Sequence, residues 1–239
     1  LNKLCKELGE YKGGIRYKQI EPSFPAEYKF KFNANITIDD VRKLAHASES
    51  GNVVYNLSKT NEDRFSLKIY SSAVKLTLSD ILPAIENLGF TAIEEQSFDI
   101  KESPEFKQSW IYEFELSTPK KINIPFSTLK SNIEEALGKI NEGVFTSDVL
   151  SQLLVLSGLK WIQVRLLKAL VRYLHQTGFM YGKGYFQKAL VKHNKFAEML
   201  ISLFAARFDP DSHSEKTTKT LSKKMKNYLD TVESSTEDK

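Results

Sequence analysis

The chain has 239 residues, 41% of them hydrophobic and 27% charged, with a formal net charge of +4. That is the composition of soluble globular protein, long enough for one large domain or two ordinary ones. No apolar run approaches the roughly 20 residues that a membrane-spanning helix needs, and the opening LNKLCKELGEY has neither a signal core nor a small-residue cleavage site. A single cysteine, Cys5, excludes an internal disulfide, and no Cys/His spacing suits zinc, so the expected setting is a reducing cytoplasm. With Leu1 in place of an initiating Met, the chain is expected to be a piece of a longer one.

The charge is unevenly spread. Residues 1–120 hold 16 Lys/Arg and 18 Asp/Glu, whereas residues 121–239 hold 18 and 12. The basic excess lies in the second half, which leaves two uses open: contact with nucleic acid, or a solvated or interdomain face.

In chain order, Ile15–Ile20 is a weak strand candidate. Ile38, Val41, Leu44 and Ala45 fit one face of a helix, with Thr37 or Asp39 near its start. Val53–Leu57 is a short strand. Phe65, Leu67 and Ile69 alternate with Ser66, Lys68 and Tyr70, the period of a half-buried strand. The segment from Leu76 to Phe90 reads as a helix capped by Ser79 or Asp80, with Pro83 in or beside its first turn and Gly89 as the left-handed stop. Thr91–Gln96 and Trp110–Leu116 complete the strands. This order predicts a ferredoxin-like, ACT-like antiparallel sheet with its helices on one face, spanning residues 1–120.

After the linker Ser117–Pro125 the spacing becomes helical. Leu129, Ile133, Leu137 and Ile140 recur at three to four, Val149, Leu150, Leu153 and Leu154 continue, and Phe196, Met199, Leu200, Leu203, Phe204 and Phe208 form a further stripe. Residues 121–210 are therefore an all-helical domain, making the chain α+β. Residues 211–239 read as an amphipathic tail, with Leu221, Met225, Leu229 and Val232 on one side.

The most informative stretch is GLKWIQVRLLKALVRYLHQTGF, Gly158 to Phe179. At 100° per residue, Arg165, Lys168, Arg172 and His175 fall within an arc of roughly 80°, while Trp161, Val164, Leu167, Leu170, Val171 and Leu174 cover much of the rest. A buried helix with one basic seam needs something against that seam. The seam is a candidate interdomain or intersubunit contact.

Catalytic patterns are missing from the sequence. There is no GxGxxG turn for a dinucleotide, and Gly182 and Gly184 form a GxG with no strand before it. Gly13 and Gly14 read as a turn. His46, His175, His193 and His213 have no metal-ligand spacing, and Glu94/Glu95 and Glu134/Glu135 are neighbours pointing different ways. The lysines from Lys216 to Lys226 read as a solvated face. No catalytic, cofactor-binding or metal residue is expected in this chain.

Four blocks carry a resemblance: SFPAEYKFKF, FSLKIYSSAVKLTLSDILPAIENLGFTAIEEQ, the Gly158–Phe179 stretch, and LISLFAARFDP. Their order resembles the large class of bacterial NAD-dependent glutamate dehydrogenases. Leu78, Ser79, Asp80, Leu82, Pro83, Glu86, Asn87, Leu88 and Gly89 fit one family pattern, and Trp161, Arg172, Tyr173, Leu174 and Gln176 fit a second. The family often has arginine at Lys168 and His175 and tyrosine at Leu170.

The resemblance implies an ACT-like regulatory module and a helical region lying ahead of the catalytic domain. The NAD and substrate residues of the parent would then fall beyond Lys239. It further implies contact with the catalytic domain of the same polypeptide, a homo-oligomeric parent, and a possible small-molecule effector at the ACT-like module, with no membrane partner. The competing reading is a stand-alone nucleic-acid-binding protein in which the Lys160–Phe186 region forms a helix-turn-helix and Lys160 and Gln163 read bases.

Overall fold

A computed structural model describes residues 18–118, 122–178, 181–211 and 213–232. Two compact units emerge: the first takes residues up to 86, 90–119 and 137–144, the second 87–89, 120–136 and 145–239.

The first unit opens on helices. Residues 18–20 are helical and run into a 3-10 turn at Glu21–Ser23, so the end of the strand expected at Ile15–Ile20 is helix; Ile15–Tyr17 lie outside the described residues. Pro25, held at φ −68°, leads into α1 (Ala26–Lys31). The next helix, α2 (Ala34–Ser50), starts one turn earlier than its apolar spacing suggests. The cause is Asn33, whose side chain accepts from the backbone N–H groups of Asn35 and Ile36. Gly51, at φ +69°, ends it.

Strands β1 (Val54–Lys59) and β2 (Arg64–Ser72) follow, then α3 (Leu78–Asn87), β3 (Thr91–Ile100) and β4 (Ser109–Ser117). The sheet is antiparallel throughout, in the order β1-β2-β4-β3. The helical connection through α3 therefore joins two strands that are not neighbours, and the last strand fills the gap between them. In a ferredoxin-like order that central place would go to the leading strand; here β4 takes it. Helix α3 starts at Leu78, so Thr77 precedes it, two to three residues ahead of the expected Ser79 or Asp80, while the capping side chain is that of Asp80, one of the two expected. Thr77 N–H and Oγ1 both donate to Asp80 Oδ2, at 3.3 and 2.6 Å. Pro83 consequently sits inside the helix, while Gly89 takes the expected left-handed position at φ +91°.

Helices cover both faces of the sheet, contrary to the one-sided expectation. On one face Tyr70, Phe98, Ile100 and Ile111 pack with Ile20, Phe24, Tyr28 and Leu44 from the leading helices. Phe24–Tyr28 and Tyr28–Phe98 ring centroids are 4.6 and 5.4 Å apart. On the other face Tyr112 hydrogen-bonds Leu76 N–H and C=O at the approach to α3, and Phe65 meets Phe90 edge-on. Strand β2 is thus buried on both sides, from Leu67 through Ser71.

The second unit is helical: α4 (Phe126–Asn141, whose last residues group with the first unit), a 3-10 turn at Val149–Gln152, α5 (Leu153–Leu156), α6 (Trp161–Gln176), α7 (Lys183–Lys192), α8 (Asn194–Phe208) and α9 (Glu215–Leu229). Asn132 of α4 is buried and donates to the C=O of Gly158 and Leu159, satisfying the turn that leads into α6. In α8 the fully buried residues are Ala197, Ile201 and Ala206, and the large side chains of the expected stripe are half-buried, with Phe208 exposed. Ser214 caps α9, whose one fully buried residue is Met225. The end of the expected tail, residues 233–239, lies outside the described residues.

Candidate functional site

Helix α6 begins at Lys160, whose N–H donates to Gln163 Oε1 at 2.8 Å. Val164, Leu167 and Val171 are buried, but Ile162, Arg165, Ala169, Arg172 and Tyr173 are exposed. The helix is therefore amphipathic, where its composition suggested burial on most sides.

Three of the four seam residues, Arg165, Arg172 and His175, face solvent. Lys168 does not. Its side chain keeps only 14% exposure. The ammonium stands 3.1 Å from Asp148 Oδ1, donates to the Thr146 C=O, and lies 4.1 Å from the Phe145 ring centroid. Burial pulls its pKa below the usual lysine value; Asp148 opposes that shift and Lys183 adds to it.

Asp148 is the hub of this arrangement. It accepts from Leu150 N–H at 3.0 Å through Oδ1 and from the buried Gln187 Nε2 at 2.8 Å through Oδ2. The network ties α6, the 3-10 turn and α7 together. A signal for it was present in the sequence: Asp148 is followed three residues later by Ser151, whose Oγ accepts from the Asp148 N–H to close a cap.

A second polar cluster lies in the sheet unit. Asp40 of α2 is 2% exposed, and its carboxylate accepts from three donors: Tyr28 Oη at 2.5 Å, Lys68 Nζ at 2.7 Å and Tyr70 Oη at 2.7 Å. Lys68 also stands 3.7 Å from the Phe32 ring centroid. Burial pushes the Tyr28 and Tyr70 hydroxyls far above their ordinary range, and the Asp40 charge adds to the shift. Every group in the cluster has a partner, as a buried charge requires. Sequence reading missed it because the alternation in β2 places Lys68 on an outward face, which α1 and α2 then cover.

Further along that face the helices stop, and Ser66, Glu94, Gln96, Glu113 and Glu115 line an open polar groove. Lys31 pairs with Glu113 at 2.6 Å and donates to Gln96 Oε1 at 2.8 Å, while Arg64 pairs with Glu115 at 2.6 Å. Among the described residues no group of three or more His, Cys, Asp or Glu is placed to hold a metal ion. No helix among them is long and apolar enough to cross a membrane.

Two family descriptions match successive parts of this chain. Residues 50–129 match the ACT3 domain of glutamate dehydrogenase, and residues 145–210 match glutamate dehydrogenase helical motif 3. The NAD-specific glutamate dehydrogenase of Halomonas elongata is 28% identical over 213 residues, covering 88% of this chain. Its counterpart in Pseudomonas aeruginosa is 29% identical over 208 residues, covering 86%. The chain is homologous to a segment of the NAD-specific glutamate dehydrogenases.

The Mycobacterium tuberculosis NAD-specific glutamate dehydrogenase is similar too, at 26% over 193 residues and 79% of the chain. The chain spans about 13% of the length of the first two relatives and 12% of the third. Within the glutamate dehydrogenase segment, the ACT3 match begins at the last residue of α2, so the Asp40 end of the Asp40–Lys68 pair precedes it. Helix α6, with both its inward Lys168 and its outward arginines, lies wholly inside helical motif 3. Gln163, one of two residues that a helix-turn-helix reading would send to bases, is occupied in capping α6.

Proposed function

We propose that this chain is a regulatory, non-catalytic segment of an NAD-dependent glutamate dehydrogenase, the enzyme that oxidatively deaminates L-glutamate to 2-oxoglutarate and ammonia. The supporting observation is the succession of an ACT3-type sheet unit and a helical-motif-3 unit in one chain. NAD and glutamate are bound by the catalytic domain of the same cytoplasmic polypeptide, which assembles as a homo-oligomer.

Three domains serve this role: the ACT-like unit at 1–120, the helical unit at 121–210 and the tail at 211–239. Of the seam, Arg165, Arg172 and His175 form the contact with another domain or subunit. Lys168 contributes indirectly by fixing α6 against the Asp148 turn. Arginine and tyrosine on one exposed helix face, here Arg165, Arg172 and Tyr173, are the residue types enriched at protein interfaces. Small-molecule effectors act at the ACT-like unit, whose open polar groove offers exposed polar side chains.

The test is calorimetric titration of the purified chain into the remainder of the parent polypeptide. Saturable association that weakens at least tenfold in Arg165→Glu/Arg172→Glu is the expected result. Failure of the two to associate at any accessible concentration would overturn the contact reading.

A further inference from the structure

The helical unit has a half-open apolar pocket of about 270 Å³, walled by Leu167 and Val171 of α6, Phe186 of α7, Leu200 of α8 and Leu229 of α9. Close-packed interiors leave few voids larger than a water molecule, and an apolar void of roughly 150 Å³ is enough to hold benzene. The large side chains that should close this space, Leu170, Phe186, Phe196, Leu200 and Leu229, are all only half-buried.

The lining is apolar apart from one place. Between α7 and α8 the chain turns at His193, and the Tyr228 hydroxyl of α9 stands 3.3 Å from its Nδ1. The two rings cross at 85° with centroids 6.0 Å apart. Water against this wall is poorly satisfied, because each water needs roughly two to four polar partners and the wall itself offers a single polar pair. A carboxylate or phosphate is disfavoured as well, since the lining contains no Lys or Arg to compensate a buried charge. A neutral hydroxyl suits the pair: the Tyr228 oxygen can accept an O–H while its own proton is directed at His193.

We propose that this cavity is a binding site for a small neutral amphipathic molecule. It has an apolar body of about ten non-hydrogen atoms, seated among α6, α7 and α8, and one hydroxyl placed at His193–Tyr228. The inference does not depend on the parentage of the chain and concerns a different place from the polar groove of the sheet unit.

Titration calorimetry of the purified chain with 4-butylphenol, butylbenzene and octanoate tests it. The expected result is saturable binding of one 4-butylphenol per chain below millimolar concentration, about fivefold weaker binding of butylbenzene for the lost hydrogen bond, and weaker binding still of octanoate. Tyr228→Phe removes the phenol's advantage and leaves butylbenzene within about twofold. Ala189→Phe, which places a ring in the cavity, abolishes both. Where circular dichroism shows Ala189→Phe to be unfolded, the Tyr228→Phe comparison still decides. No saturable binding by either neutral probe, a phenol preference that survives Tyr228→Phe, or a preference for octanoate would each overturn the proposal.

Discussion

Replacing Asp40 by alanine in the sheet unit removes the acceptor shared by Tyr28, Lys68 and Tyr70, all of them buried. Breaking a buried ion pair by deleting one partner costs about 3–5 kcal/mol, because the other charge is left uncompensated. Each orphaned tyrosine hydroxyl adds about 1–3 kcal/mol, although groups in one network do not add fully. The expected loss is therefore about 4–5 kcal/mol, a large part of a typical domain stability of roughly 5–15 kcal/mol. The double variant Asp40→Leu/Lys68→Met removes both charges and should cost only about 1–2 kcal/mol, chiefly from the hydroxyls. Urea unfolding followed by tryptophan fluorescence measures both, with Trp161→Phe as background so that Trp110 of β4 reports the sheet unit. A loss below about 1 kcal/mol for Asp40→Ala, or equal losses in the single and double variants, would refute the reasoning.

Burial raises the pKa of Tyr28, Tyr55 and Tyr70 above the ordinary value of 10.0. The folded chain then holds protons that the unfolded chain releases, so stability should be flat to about pH 9 and fall above pH 10, by up to about 1.4 kcal/mol per pH unit for each tyrosine. Chemical denaturation across that range checks it, and Tyr55→Phe should make the fall shallower. Lys168→Met should destabilise the helical unit by about 1–2 kcal/mol, because Asp148 loses its buried ammonium but keeps its Leu150 and Gln187 donors. Arg172→Glu, on the exposed face, should shift the stability of the isolated chain by no more than about 0.5 kcal/mol. In the parent enzyme the order should reverse for assembly, with Arg172→Glu lowering the oligomer fraction in light scattering more than Lys168→Met does.

Where one periodicity met one environment, the sequence was legible. The alternation from Phe65 to Ile69 and from Trp110 to Leu116 located β2 and β4, and Gly89 stopped α3 where its left-handed angle was needed. Strand order was not legible, because no local signal in β4 says that it inserts between β2 and β3. Caps moved helix starts by a few residues: Asn33 accepts from the N–H groups of Asn35 and Ile36, and Asp80 from the N–H of Thr77, and apolar spacing counts neither. On α6, a 100° projection gathers four basic residues on one arc. It could not separate Lys168 from the arginines, since that distinction depends on Asp148, Thr146 and Phe145 arriving from another part of the chain. The Asp40–Lys68 pair was hidden for the same reason: a lysine in an alternating strand reads as exposed until a helix covers it.

The role assigned to this chain is tested most directly by glutamate-dependent reduction of NAD, followed as NADH absorbance. The purified chain alone should show no turnover at saturating glutamate and NAD, and adding it to the separately prepared remainder of the parent enzyme should change that enzyme's rate or its assembly. Glutamate-dependent NADH formation that copurifies with the isolated chain would contradict the account.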